Sequence, residues 1–139
     1  MSNGLIEITS EPISPNAIIN RARTDSSGCV VSYVGLIRDS SQGKPVASIE
    51  YQDTKGDAAD TLKKIAQEVS QKWPIENIAI YHRVGKLKVG EINFLVAVAS
   101  AHRQEALAAC SYAVDRFKEL LPTGKIETYT DGSTSVTSP

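Results

Sequence analysis

Cysteine is scarce in this chain, with only Cys29 and Cys110 and no Cys-x-x-Cys pair. That excludes a disulfide framework and a dithiol redox motif. Both lie in apolar surroundings, which predicts buried, inert thiols. The only histidines are His82 and His102, and with the cysteines they show no zinc-type spacing. Neither a structural metal nor a resident cofactor is therefore predicted. Positive charge is not in excess: 15 Lys and Arg stand against 16 Asp and Glu, for a net charge of −1. A nucleic-acid-binding face normally needs a basic excess, so no nucleic-acid partner is expected, although a local basic pocket stays open. No apolar run is long enough to cross a bilayer. Met1-Ser2-Asn3-Gly4 lacks the charged and apolar regions of a signal peptide, and a cytoplasmic location is predicted. Phosphate-binding glycine loop, nucleophile elbow, triad spacing and internal repeat are all missing.

What remains is a strand-and-helix pattern for one domain over 1–139, ending in a Ser/Thr-rich tail from about 133. Residues 5–8 alternate as a short strand. Ser14-Pro15 reads as the cap and first residue of a helix carrying Ile18 and Ile19. The β-branched and aromatic run 28–37 predicts a central strand, 38–45 a mobile polar loop, and 46–52 the next strand. Leu62, Ile65, Ala66, Val69 and Trp73 keep helical spacing over 57–73, with Asp57 as a cap and Pro74 as the stop. Two further strands, 78–84 and 92–99, flank a glycine-bracketed excursion at 85–90. Ser100 is placed to cap a long last helix with the core stripe Leu107, Cys110, Val114, Phe117 and Leu121. A strand over 125–130 and the turn pair Asp131-Gly132 close the pattern. Strands interleaved with about three helices predict an α+β fold with a mostly antiparallel sheet.

Candidate chemistry is cationic and sits at element ends. Lys118 falls on the last turns of the final helix and Lys125 at the start of the following strand, separated by the break Pro122-Thr123-Gly124. A helix stopped at Pro122 and released through Gly124 can bring the two ammonium groups together. Paired amines in a cleft suit an anion, and one can depress the other's pKa until it acts as a base or nucleophile. The plainer alternative is a lysine complementing a helix dipole and another guarding a strand edge. Arg38 follows a strand, while His102 and Arg103 open the last helix, where backbone N–H groups already favour phosphate or carboxylate. Arg103 can equally pair with Glu105. His82-Arg83 lies within a strand, so its side chains face opposite ways, and structural packing is the reading preferred for it. No carboxylate pair is spaced for acid/base work.

The ordered motifs resemble those of the large, catalytic subunit of molybdopterin synthase. They run from the glycine-led strand 28–38 ending in Arg38, through Ile49-Glu50-Tyr51, the stretch 81–91, and Val98 to Arg103. They close with Asp115-Arg116-Phe117-Lys118, Pro122, Lys125, Glu127 and Asp131-Gly132. The resemblance covers roughly 28–132. It implies an α/β hammerhead-like fold with an additional small antiparallel β-subdomain, and a sulfurtransferase of molybdenum cofactor biosynthesis. In that family sulfur comes from the C-terminal Gly-Gly thiocarboxylate of a small ubiquitin-like subunit and goes to cyclic pyranopterin monophosphate, forming the molybdopterin dithiolene. Large subunits pair as a homodimer inside a heterotetramer. Carried onto this chain, Lys118 and Lys125 match the catalytic lysines, and Arg38, His102 and Arg103 match the pocket for the phosphorylated pterin. The chain departs from the pattern at Gly124 and Ser135, where tryptophans are usual, and at Thr54, where an aromatic is common. A non-catalytic relative that binds the partner tail or the pterin is the alternative these departures leave open.

Overall fold

A computed structural model describes residues 5–139; the 1–4 segment, read above as lacking a leader, lies outside them. The chain folds as two β-sheets and three α-helices among the described residues. The first sheet has the order β1 (Ile6–Thr9), β5 (Asn77–Arg83), β7 (Ile92–Ser100), β2 (Cys29–Leu36). β1 runs parallel to β5, and the other neighbours are antiparallel. Its central strands are apolar along nearly their whole length because both faces are covered. Ile78, Ile80, Phe94, Val96 and Val98 face α2 (Ala58–Lys72) and α3 (Arg103–Leu120). Ala79, Tyr81, Leu95 and Ala97 face Ile18 of α1 (Pro15–Ala22) and the 5–13 segment. Two-sided burial removes the hydrophobic alternation that a half-exposed strand shows.

Helix ends follow local chemistry. Ser14 caps α1 through its hydroxyl, which accepts from Ala17 N at 3.4 Å, and Pro15 holds the first position. α2 stops at Trp73, extended at φ −135° because Pro74 follows. Asp57 does occupy the cap of α2, but its side chain makes no cap bond; Asp53 Oδ1 accepts from Ala58 N at 3.2 Å instead. Ser100 is not the cap of α3. It is the last residue of β7, and His102 takes the cap position without a side-chain bond. The buried stripe of α3 is Ala106, Ala109, Cys110, Ala113, Val114 and Phe117, whereas Leu107 and Leu121 are exposed. Cys110, Val114 and Phe117 are thus buried as predicted, while the alanines that let the helix lie close on the sheet are absent from the predicted stripe of larger residues.

The second sheet has the order β3 (Ser40–Ser41), β4 (Lys44–Gln52), β8 (Gly124–Tyr129), β9 (Thr134–Thr137), with β6 (Gly85–Lys88) also paired to β4. Two expectations change here. The polar 38–45 stretch is a tight hairpin with Gln42 and Gly43 at φ 53° and 77°, the paired left-handed conformation that narrow hairpins favour. The 85–90 excursion contributes a strand, Leu87 pairing opposite Ile49. Ile37, Val46, Ile49, Leu87 and Tyr129 form a small separate core beneath this sheet.

Leu62 is fully buried between α2 and the first sheet. Leu62→Ala is expected to lower unfolding free energy by about 2–5 kcal/mol in urea titration, the usual cost of lost burial plus the cavity left behind.

Candidate active site

The two sheets meet at the C-terminal end of α3, and that junction positions both lysines. Lys118 lies in the last turn of α3. Leu121 ends the helix in the left-handed conformation at φ 47°, its N–H donating to Phe117 O at 3.1 Å. Pro122 prevents continuation, and Thr123 and Gly124 lead into β8, whose second residue is Lys125. Lys118 and Lys125 then line two adjoining hollows. One, of about 180 Å³, is polar and is also lined by Arg38, Ser40, Ser41 and Glu127. The other, of about 130 Å³, is walled largely by Tyr51, Phe94, Phe117 and Pro122, with His82 and Thr123 at its back.

Three cations therefore surround one carboxylate in the polar hollow. Glu127 is 5 % exposed. Its Oε2 accepts from Tyr129 Oη at 2.8 Å, and its Oε1 lies 3.3 Å from Lys125 Nζ. Burial pushes the Glu127 pKa up, but hydrogen bonds from Tyr129, Ser41 and Lys125 outweigh it and hold the carboxyl below its ordinary value. A charged Glu127 orients Lys125 while leaving the hollow with net positive charge. Arg38 and the lysines can together grip a phosphate or a carboxyl-type group, the guanidinium as a planar fork and the amines as point charges.

His82 is fully buried in the middle of the junction. Its Nδ1 lies 2.8 Å from Asn93 O and its Nε2 lies 2.7 Å from Thr123 Oγ1. A carbonyl only accepts, so Nδ1 carries the proton; Nε2 of the neutral ring then accepts from the Thr123 hydroxyl. Tyr51 and Phe117 meet the ring edge-on, each with centroids 5.0 Å away. Phe117 in turn stacks on Phe94 at 3.9 Å. Burial drives the His82 pKa down to about 4, against smaller raising pulls from the Asn93 carbonyl and the Asp53 carboxylate. The preferred sequence reading gave His82 a packing role on a strand with its neighbour turned away. Arg83 does point elsewhere, to Glu91 Oε2 at 2.6 Å. What that reading missed is that His82 holds the break between the lysines. The available signal was its register with Ile78 and Ile80 on a core-facing strand, where an imidazole must find polar partners.

His102 and Arg103 lie elsewhere. Both are exposed at the start of α3, in a cleft of about 620 Å³ with Gly28, Cys29 and Glu105. Fifteen helical positions separate Arg103 from Lys118, roughly 22 Å along the axis. Within one copy, the fold brings Arg38, Lys118 and Lys125 together and keeps His102 and Arg103 apart from them. Gly124 is buried against the chain's own tail: a Cβ there would stand 3.2 Å from Thr137 O and 3.3 Å from Pro139 Cδ. Thr137 itself lines the apolar hollow. Cys110 is buried, and burial pushes its thiol up to about 11, against a lowering contact with the Tyr33 backbone.

This two-sheet scaffold with a cationic junction matches the MoaE protein family over residues 8–120, and the chain belongs to that family. A molybdopterin synthase catalytic subunit from Nostoc sp. is 41 % identical over 129 residues, covering 92 % of this chain and 78 % of the relative. The crystal structure of molybdopterin synthase from Staphylococcus aureus superposes with a TM-score of 0.89 at 32 % identity, covering 97 % of this chain and 98 % of the other. A chain from the complex of subunits 1 and 2 of the Helicobacter pylori molybdopterin-converting factor shares the fold, with a TM-score of 0.74 at 14 % identity. It covers 96 % of this chain and 89 % of the other.

Neutral burial of His82 links stability to pH. The unfolded chain takes up a proton near pH 6.5, while the folded ring resists until about pH 4. The stability held by the neutral ring is complete above pH 6.5 and declines as pH falls through that window, by about 3 kcal/mol in all. Denaturation midpoints measured between pH 7 and 5 are expected to fall, and His82→Gln is expected to flatten that slope.

Proposed function

We propose that this chain is a molybdopterin synthase catalytic subunit. It transfers sulfur from the C-terminal thiocarboxylate of a small ubiquitin-like subunit to cyclic pyranopterin monophosphate, forming the dithiolene. The observation that carries the reading is the convergence of Arg38, Lys118 and Lys125 on a single polar hollow. Both reactants are anions, one a phosphate ester and the other a carboxyl-type tail, and a cationic hollow suits both. Lys118 lies nearest the acyl carbon in this reading, and Lys125 supports substrate binding or proton transfer. Freeing the sulfur requires water to add to the acyl carbon. Negative charge builds on the acyl oxygen as the C–O bond forms and collapses as the C–S bond breaks to leave a carboxylate tail. Ammonium groups fixed beside that oxygen stabilise the charge without reorganising. The sulfur arrives on the partner, so Cys29 and Cys110 need no catalytic part. A dithiolene holds two sulfurs, so two loaded tails are consumed for each product.

His102 and Arg103 enter through the pairing of large subunits. A second copy would supply its helix start to the first copy's hollow, adding to the contacts with the phosphorylated pterin. The small subunit docks with its tail aimed at Lys118 and Lys125. The place where a tryptophan is usual is filled by the chain's own Thr137 and Pro139, which supports a closed wall at Gly124.

Turnover assays with thiocarboxylated small subunit and the pyranopterin precursor, read as the fluorescent oxidised product, test this. Lys118→Ala and Lys125→Ala are each expected to cut product formation at least about tenfold, a loss of ~1.4 kcal/mol or more in transition-state stabilisation. Near-wild-type conversion by both variants removes the assignment, and binding of the small subunit without product would favour a non-catalytic relative. Mixing inactive Lys118→Ala and Arg103→Ala chains tests the shared site. Random re-pairing should restore roughly a quarter of wild-type activity if Arg103 acts across the dimer, and none if it acts within its own copy.

A further inference from the structure

The break that separates the two lysines has a single polar side chain, Thr123, and it is 7 % exposed. Its hydroxyl has a fixed direction. Asn93 O, 2.8 Å from His82 Nδ1, requires the proton on that nitrogen, leaving His82 Nε2 to accept from Thr123 Oγ1 at 2.7 Å. The ring is held by both of its nitrogens and packed edge-on by Tyr51 and Phe117, each with centroids 5.0 Å away. Tyr51 is itself held, its hydroxyl accepting from Asn93 Nδ2 at 3.0 Å. Thr123 is thus bonded to β5 of the first sheet, while the next residue, Gly124, already pairs with Gln52 in the second.

This bond lies between the two amines. Lys118 is five positions before Thr123 on a helix whose Phe117 touches the His82 ring, and Lys125 is two positions after it on β8. The left-handed turn at Leu121 gives the chain a swivel, and the Thr123 hydroxyl fixes where that swivel stops.

We propose that His82 and Thr123 are a positioning pair for sulfur transfer, the Thr123-to-His82 hydrogen bond setting the placement of Lys125 relative to Lys118. The inference rests on the reading of the lysine hollow given above. Neither residue lines the polar hollow that gathers Arg38, Lys118 and Lys125. Both line the adjoining apolar hollow, where their polar atoms are bonded to each other, and the pair acts by placing the lysines.

A purely structural bond and a positioning bond respond differently to removal of the hydroxyl. Thr123→Val keeps the side-chain shape, Thr123→Ala removes it without crowding, and Thr123→Ser keeps the hydroxyl. In the folded protein, Val and Ala are expected to lower kcat by roughly ten- to a hundredfold, the scale of a misplacement of about an ångström. KM for the loaded small subunit is expected to stay near wild type, and Ser is expected to restore kcat to within about threefold. Thermal unfolding of each variant establishes the folded fraction, and if Val does not fold, the Ala and Ser pair gives the same comparison. Folded Val or Ala variants with wild-type kcat would overturn the proposal, as would a Ser variant as slow as Ala. Lys118→Ala run alongside separates the two ideas. If it turns over normally, the reading of the hollow fails; if it is inactive while Val and Ala are unaffected, only the positioning pair fails.

Discussion

A neutral imidazole buried at the meeting of two sheets and a helix holds this molecule's working parts in register. His82 comes from β5 of the first sheet, takes its tautomer from Asn93 on β7, and accepts a hydrogen bond from the Thr123 hydroxyl in the break after α3. Tyr51 of the second sheet and Phe117 of α3 complete the enclosure. Each partner belongs to a different segment, so this small polar cluster in an apolar setting fixes their mutual placement. A buried polar group is costly when unpaired and strongly directional when paired, and here every hydrogen-bonding atom of the ring is used.

Around that anchor the electrostatics are asymmetric. The polar hollow gathers Arg38, Lys118 and Lys125, with Glu127 as its one carboxylate. Glu127 is kept ionised by Tyr129, Ser41 and Lys125 despite its burial. A protonated Glu127 would leave Lys125 without its ionic partner; an ionised one orients the amine and still leaves excess positive charge for an anionic ligand. The adjoining hollow is mostly apolar and shares both lysines, so an extended, largely uncharged segment ending in a charged group fits the pair of hollows better than a compact anion does. This is the shape of a peptide tail bearing a terminal thiocarboxylate, the donor proposed above.

The cationic residues at the opposite end of α3 give the fold its second theme. A helix places its two ends far apart by construction, and no loop in the described residues folds His102 or Arg103 back toward Lys118. A site that uses both ends of such a helix has to be built between two molecules. In the proposed function, assembly and catalysis are therefore one problem: the hollow exists in a single copy, and the extra contacts for the phosphorylated substrate come with the second.

Much of the architecture was legible from residue order alone. The β-branched runs, the caps at Ser14 and Pro15, the stops at Pro74 and Pro122 and the turn at Asp131-Gly132 all act over a few residues, and local chemistry decides them. The α+β class and the separation of Lys118 from Lys125 by a helix break followed from the same short-range rules. Errors arose where partners distant in the chain decide the outcome. The 38–45 and 85–90 segments read as loops because their strand character comes from pairing with β4, and a two- or four-residue strand carries no pattern of its own. The α3 stripe holds at Cys110, Val114 and Phe117 but takes in the exposed Leu107 and Leu121 and omits three alanines, because alanine burial depends on the sheet beneath it. Which charges share a hollow was likewise undetermined by sequence, since Arg38 and Lys118 are 80 positions apart and Arg103 and Lys118 only 15. By itself the sequence determined the elements, their ends and the cationic residue types available. Only the tertiary structure decided that His82 would be neutral and locked onto Thr123, because hydrogen-bond direction and burial belong to the packed assembly of segments.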